Sequence, residues 1–99
     1  MSYLYFDKQP SEEFFIAVDF SDRLATGETI SSKTVTAINI ATGVDATTTI
    51  IESSSIDGDN INIKVAAGIT GNDYKITILI NTSGSNILEE DVVMHVVEE

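Results

Sequence analysis

Cysteine is absent from this 99-residue chain, which excludes a disulfide framework, a thiolate nucleophile and a cysteine-ligated zinc site. Histidine occurs once, as His95, so a catalytic base held against a nucleophile has almost no supply. Basic residues are few: Lys8, Arg23, Lys33, Lys64 and Lys75 stand singly against sixteen acidic residues. Phosphate recognition needs clustered Lys or Arg to release counterions, so nucleic acid is not an expected partner. A net charge of −11 also repels an anionic membrane surface, and no apolar run approaches the ~20 residues that span a bilayer. Residues 1–8 carry neither a basic n-region nor a long apolar h-region and do not read as a secretory signal. The expected setting is a cytoplasm, unless a leader has already been cleaved.

Forty-two per cent of the residues are apolar, enough to fold despite the charge, and a chain of this length suits one domain with one core. Isoleucine, valine and threonine dominate the middle of the sequence, and their branched β-carbons fit a pleated surface better than a helix. The expected class is all-β. The single proline, Pro10, closes the apolar patch Tyr3–Phe6, so residues 1–10 read as an N-terminal arm or a broken first strand, with 11–99 as the domain proper. Residues 13–20 alternate, placing Phe14, Ile16, Val18 and Phe20 inward and Phe15 outward. Further strands are predicted over 29–40, 47–51, 60–65, 73–81 and 86–97, with turns at 41–45, 53–60, 66–72 and 81–85. Apolar positions within 29–40 change parity, which predicts a bulge or bend. Only Ser21–Leu24 suggests a helical turn. This pattern predicts an immunoglobulin-like antiparallel β-sandwich of about seven strands, with a small antiparallel barrel as the alternative.

The stretch from Gly68 to Gly84 is the most specific. Gly68 and Gly71 bracket a tight corner, Tyr74 follows, and apolar residues then alternate with Thr and Lys. Tyr74 stands where a β-sandwich places its corner tyrosine, ring inward and hydroxyl bonded back to the backbone. Leu24, in the loop that contains Gly27, is expected to plug one end of the sandwich.

No arrangement of residues assembles a recognisable reaction centre. His95 shares a strand face with Val93 and Val97 and is expected at an edge or partner-facing position. Asp57, Asp59 and Asn60 offer oxygen ligands in one turn, but lack the spacing and distal glutamate of an EF-hand loop; an ordinary Asp-Gly hairpin turn explains them better. Gly68-x-x-Gly71 precedes a strand, not the helix N-terminus that makes glycine loops hold phosphate. No cofactor is implied. The aromatic side chains Tyr3, Tyr5 and Phe15 are the best interface candidates, because aromatic residues carry much of the energy of protein contacts. Phe6 is expected to fold back onto its own domain.

The ordered series Phe6-x-Lys8-Gln9-Pro10-x-Glu12, Val18-Asp19-Phe20-Ser21-x-x-Leu24-x-x-Gly27-Glu28-x-Ile30-x-Ser32, Gly68-x-x-Gly71-x-x-Tyr74-x-Ile76-Thr77, Thr82-Ser83-Gly84 and Leu88-Glu89-x-Asp91 resembles small virion proteins of tailed bacteriophages and prophages, the phage fiber-tail adaptor or Ig-like tail proteins. The resemblance spans nearly the whole chain, departing where such families often carry a tryptophan near Phe20–Leu24. It implies a non-enzymatic structural subunit, made in the host cytoplasm and built into a head, neck or tail. Its partners would be other virion subunits, with homo-oligomerisation left open. A carbohydrate- or cell-surface-binding module of the same fold is the alternative, since fold does not decide function.

Overall fold

Seven strands take up the β-branched residues: β1 (Leu4–Lys8), β2 (Phe14–Asp19), β3 (Ile30–Asn39), β4 (Ile51–Asp57), β5 (Asn60–Val65), β6 (Asp73–Thr82) and β7 (Ile87–Val96). The computed structural model describes residues 4–98. The strands form two separate sheets, ordered β1-β7-β6-β3 and β2-β5-β4. They face each other as a sandwich and do not close into a barrel. Alternation explains why. Along β6, Tyr74, Ile76, Ile78 and Ile80 all point inward and are buried, opposite Ile61, Ile63 and Val65 of β5 and beside Val92, Met94 and Val96 of β7. Each such side chain contributes roughly 1.5–3 kcal/mol by leaving water. Phe20, just past β2, is also fully buried.

The predicted strand at 47–51 is corrected to a helical turn, α1 (Thr47–Ile50). Asp45 Oδ1 accepts from the Thr47 amide at 3.2 Å and from its hydroxyl at 2.6 Å. This local Asp45–Thr47 turn overrides the weak strand preference of three threonines. The turn also drives Ile50 into the core. The strand itself begins at Ile51 and continues through Ser53–Ser55, residues read from sequence as a turn, which pair in register with β5.

One further expectation changes, and the bulge expected within 29–40 is present. The sandwich is not wholly antiparallel: β1 runs parallel to β7, with Tyr5 opposite Val93 and Asp7 opposite His95. The chain leaves β1 for the other sheet instead of turning back in a hairpin, so β1 is free to align with β7 in the same direction. The parity change in β3 has two causes. A register shift lies between Ile30 and Ser32, while Val35 and Ala37 share the inward face. Ile38 and Ile40 keep the regular alternation and simply face out. The expected single turn is a 3-10 turn at Ser21–Arg23.

Candidate docking face

The outward face of the four-stranded sheet is assembled in rows by its register. One row runs Tyr5, Val93, Lys75, Ile38 across β1, β7, β6 and β3. The next runs Asp7, His95, Asp73 and ends beside Ile40, whose amide donates to the Asp73 carbonyl at 3.0 Å. Strands lie ~4.8 Å apart, so each row places its side chains in contact range of their neighbours. Together Tyr5, Ile38, Ile40, Lys75 and Val93 line an open groove of about 480 Å³. Tyr5 and Ile40 remain 59% and 48% exposed, leaving apolar surface uncovered among the described residues.

Polar groups orient this face. The Tyr5 ring stacks on His95 with centroids 6.2 Å apart and planes 24° from parallel. His95 Nδ1 contacts Asp73 Oδ1, so the imidazole is held between a carboxylate and an aromatic ring. The phenol of Tyr5 is pushed above its ordinary pKa by partial desolvation and then by the negative charges of Asp73 and Asp7. Asp91 belongs to the same outward series of β7 and is largely buried; its Oδ1 has no hydrogen-bond partner among the described residues.

The opposite outward face is built differently. Phe15 is 63% exposed on β2, and the Lys64 ammonium lies 5.8 Å from its ring centroid. Lys64 also pairs with Glu52 at 3.1 Å. Around them stand Ala17, Asn62, Ser53 and Ser55. Beside Phe15, Lys64 is engaged by Glu52 and Asn62 by Asp57. The interface candidates are thus divided: Tyr5 and His95 touch one another on the larger sheet, Phe15 sits on the smaller one, and Tyr3 lies outside the described residues.

The residues singled out for turns and corners occupy the two ends. Tyr74 is buried, and its hydroxyl oxygen accepts from the Ile69 amide at 3.1 Å. Gly68 adopts φ +100°, and a Cβ there would stand 2.6 Å from Val96 Cγ2. Gly71 adopts φ +88°, with its amide bonded to the Val96 carbonyl at 2.8 Å. At the other end Leu24 is half-buried against the core, and Gly27 adopts φ +82°. The Phe6 ring meets Phe14 edge-on, centroids 5.8 Å apart, in the seam between sheets. Asp57 and Asp59 flank Gly58 in the β4–β5 hairpin, and the Phe20 amide donates to the Asp59 carbonyl at 2.9 Å. Among the described residues no three His, Asp or Glu side chains are grouped to hold a metal ion.

Sequence reasoning missed Ile38, Ile40, Lys75 and Val93 as one surface. The signal was present: β3 and β7 carry apolar residues at consecutive positions, which marks a strand with both faces apolar. No helix among the described residues is long and apolar enough to cross a membrane. A family model described as podophage GP4 fiber-tail adaptor protein gp77 matches residues 8–95. No curated protein matches the chain significantly.

Proposed function

The chain belongs to the podophage fiber-tail adaptor family, and on that premise we propose that it is a non-enzymatic assembly module of the virion, docking on a neighbouring tail protein through the outward face of its four-stranded sheet. The observation that carries this reading is the uncovered apolar groove of Tyr5, Ile38, Ile40 and Val93. Aromatic and aliphatic side chains clustered in a depression are the usual energetic centre of a protein contact. Tyr5, held against His95, is the natural anchor, and Phe15 would form a separate, smaller contact. The partition of β2, β5 and β4 against β3, β6 and β7, with Tyr74 at the start of β6, supports an immunoglobulin-like sandwich. The protein would be made in the host cytoplasm, whether from a lytic phage or a prophage, and then incorporated. Neither nucleic acid nor membrane enters this reading.

The test is incorporation. A double variant, Ile40→Ser with Val93→Ser, removes apolar groups without altering charge or the buried core. Phage particles assembled with it should contain at least about tenfold less of the protein, the loss expected for two central contacts, while circular dichroism of the purified variant stays unchanged. Incorporation at the wild-type level would refute docking through this face.

A further inference from the structure

Acidic side chains outnumber basic ones on the face just described, and this bears on the chemistry of what covers it. Asp7, Asp73 and Asp91 lie on its outward rows, with Lys75 the only basic residue along the groove. Asp73 is engaged by His95, while Asp7 is exposed and has no salt bridge among the described residues. The smaller sheet offers a contrast, since its cation Lys64 is already engaged by Glu52 and Phe15. A second copy laid face to face would bring two faces of the same net acidity together, in a molecule that carries a net charge of −11. Like charges brought together at an interface cost several kcal/mol.

We propose that the outward face of the four-stranded sheet receives a different protein, one that presents aliphatic or aromatic side chains flanked by Lys or Arg. The apolar side chains would enter the groove beside Tyr5 and Val93, and the basic ones would pair with Asp7 and Asp73 at its rim. This inference rests on the docking reading above and adds the partner's chemistry. The division of labour is the usual one: the apolar centre supplies the affinity, and the charged rim speeds encounter and rejects wrong partners.

Photo-crosslinking in assembling particles tests it. A photoreactive phenylalanine analogue replaces Tyr5 in one variant, Ile40 in a second and Phe15 in a third, each with and without Asp7→Asn plus Asp73→Asn. Cross-linked peptides are identified by mass spectrometry. The expected result is a cross-link from positions 5 and 40 to a segment of another virion protein with Lys or Arg beside apolar residues. Its yield should fall about tenfold on neutralisation at low salt, and this difference should shrink at high salt, where screening already weakens the attraction in the unneutralised protein. A cross-link to a second copy of this chain overturns the proposal. So does a cross-link to an acidic or uncharged segment, or a yield unaffected by neutralisation; either leaves the docking face standing and removes only the charge argument. No cross-link from positions 5 and 40, with or without one from position 15, overturns the docking face itself.

Discussion

The two ends of the sandwich close with opposite chemistry. At the end where β6 begins, an ammonium gathers stray carbonyls, beside the Tyr74 hydroxyl that accepts from the Ile69 amide. Lys8 is almost wholly buried, and its ammonium donates to the carbonyls of Gln9 at 2.8 Å, Pro10 at 3.2 Å and Ala67 at 2.6 Å. Burial lowers its pKa, against the pull of Glu12 and Glu13. At the end where β6 finishes, an acceptor is brought to stray donors. The Glu28 carboxylate accepts from the Ala25 amide at 2.9 Å, from Asn86 Nδ2 at 2.9 Å and from the Thr82 hydroxyl. The Thr29 amide meets Ser83 Oγ at 2.9 Å beside it. Where ladder bonding runs out, backbone groups still need partners, and each end places one charged side chain, of opposite sign, among them.

These ends also hold most of the residues by which the family resemblance is read: Lys8-Gln9-Pro10 and Gly68 to Tyr74 at one, Leu24, Gly27-Glu28 and Thr82-Ser83-Gly84 at the other. The groove residues Ile38, Ile40, Lys75 and Val93 lie outside that series. The residues that carry the resemblance therefore lie mainly where the sandwich is closed, and the groove residues fall between them.

The comparison is broken most severely at Tyr74. Tyr74→Ala should cost about 3 kcal/mol or more, because it empties a buried aromatic site and leaves the Ile69 amide without its acceptor. Urea denaturation measures this directly. Tyr74→Phe keeps the ring and removes only the hydroxyl, so it should lose about 1 kcal/mol. If the two variants are equally unstable, the hydroxyl bond and not the packing closes this end.

Two glycines sharpen the comparison at intermediate cost. Gly68 and Gly27 both adopt positive φ, but a Cβ on Gly68 collides with Val96 while one on Gly27 meets nothing within 4 Å. A non-glycine residue in the left-handed region loses roughly 1–2 kcal/mol from backbone strain alone. Gly27→Ala should therefore cost about 1 kcal/mol and Gly68→Ala about 2 kcal/mol or more, because the Val96 side chain must also shift. Equal melting temperatures for the two would show that the β7 end relaxes freely around position 68.

Much of this was legible in the sequence, and the failures have physical causes. The β5 boundaries at Asn60 and Val65 could be read because every inward residue there is apolar and turns bound both sides. The α1 turn could not, because the local hydrogen bonds of Asp45 to Thr47 outweigh three threonines whose propensities point the other way. Tyr5 and His95 were each singled out, but their contact depends on β1 aligning parallel to β7 across nearly the whole chain, a pairing with no local signal. Lys8 read as one scattered cation among five; only the fold shows that it is buried among carbonyls. Glu28 stood in the resemblance series without a role for the same reason, since its partners Thr82 and Asn86 arrive from the far end of β6.

The smallest expected effect lies at the Glu28 end and depends on pH. Its carboxyl is held below the ordinary glutamate pKa, first by the Thr82 hydroxyl, then by the Ala25 amide and the Asn86 side chain. A carboxyl with a depressed folded-state pKa stabilises the fold above its unfolded-state value, and that stabilisation is lost as pH falls through the folded-state value. Asp19 and Asp45 are shifted the same way, by Ser21 and Thr47 respectively, so the wild-type protein should weaken progressively in acid. Glu28→Gln keeps the shape but not the charge. The variant should be less stable than wild type at neutral pH, and the gap should narrow as acid protonates Glu28 in the wild-type fold. Urea midpoints for both proteins at neutral pH and in the carboxyl range decide it: curves that remain parallel throughout would mean that the carboxylate's charge contributes nothing to closing this end, leaving the neutral hydrogen bonds of Thr29, Ser83 and Asn86 to hold it.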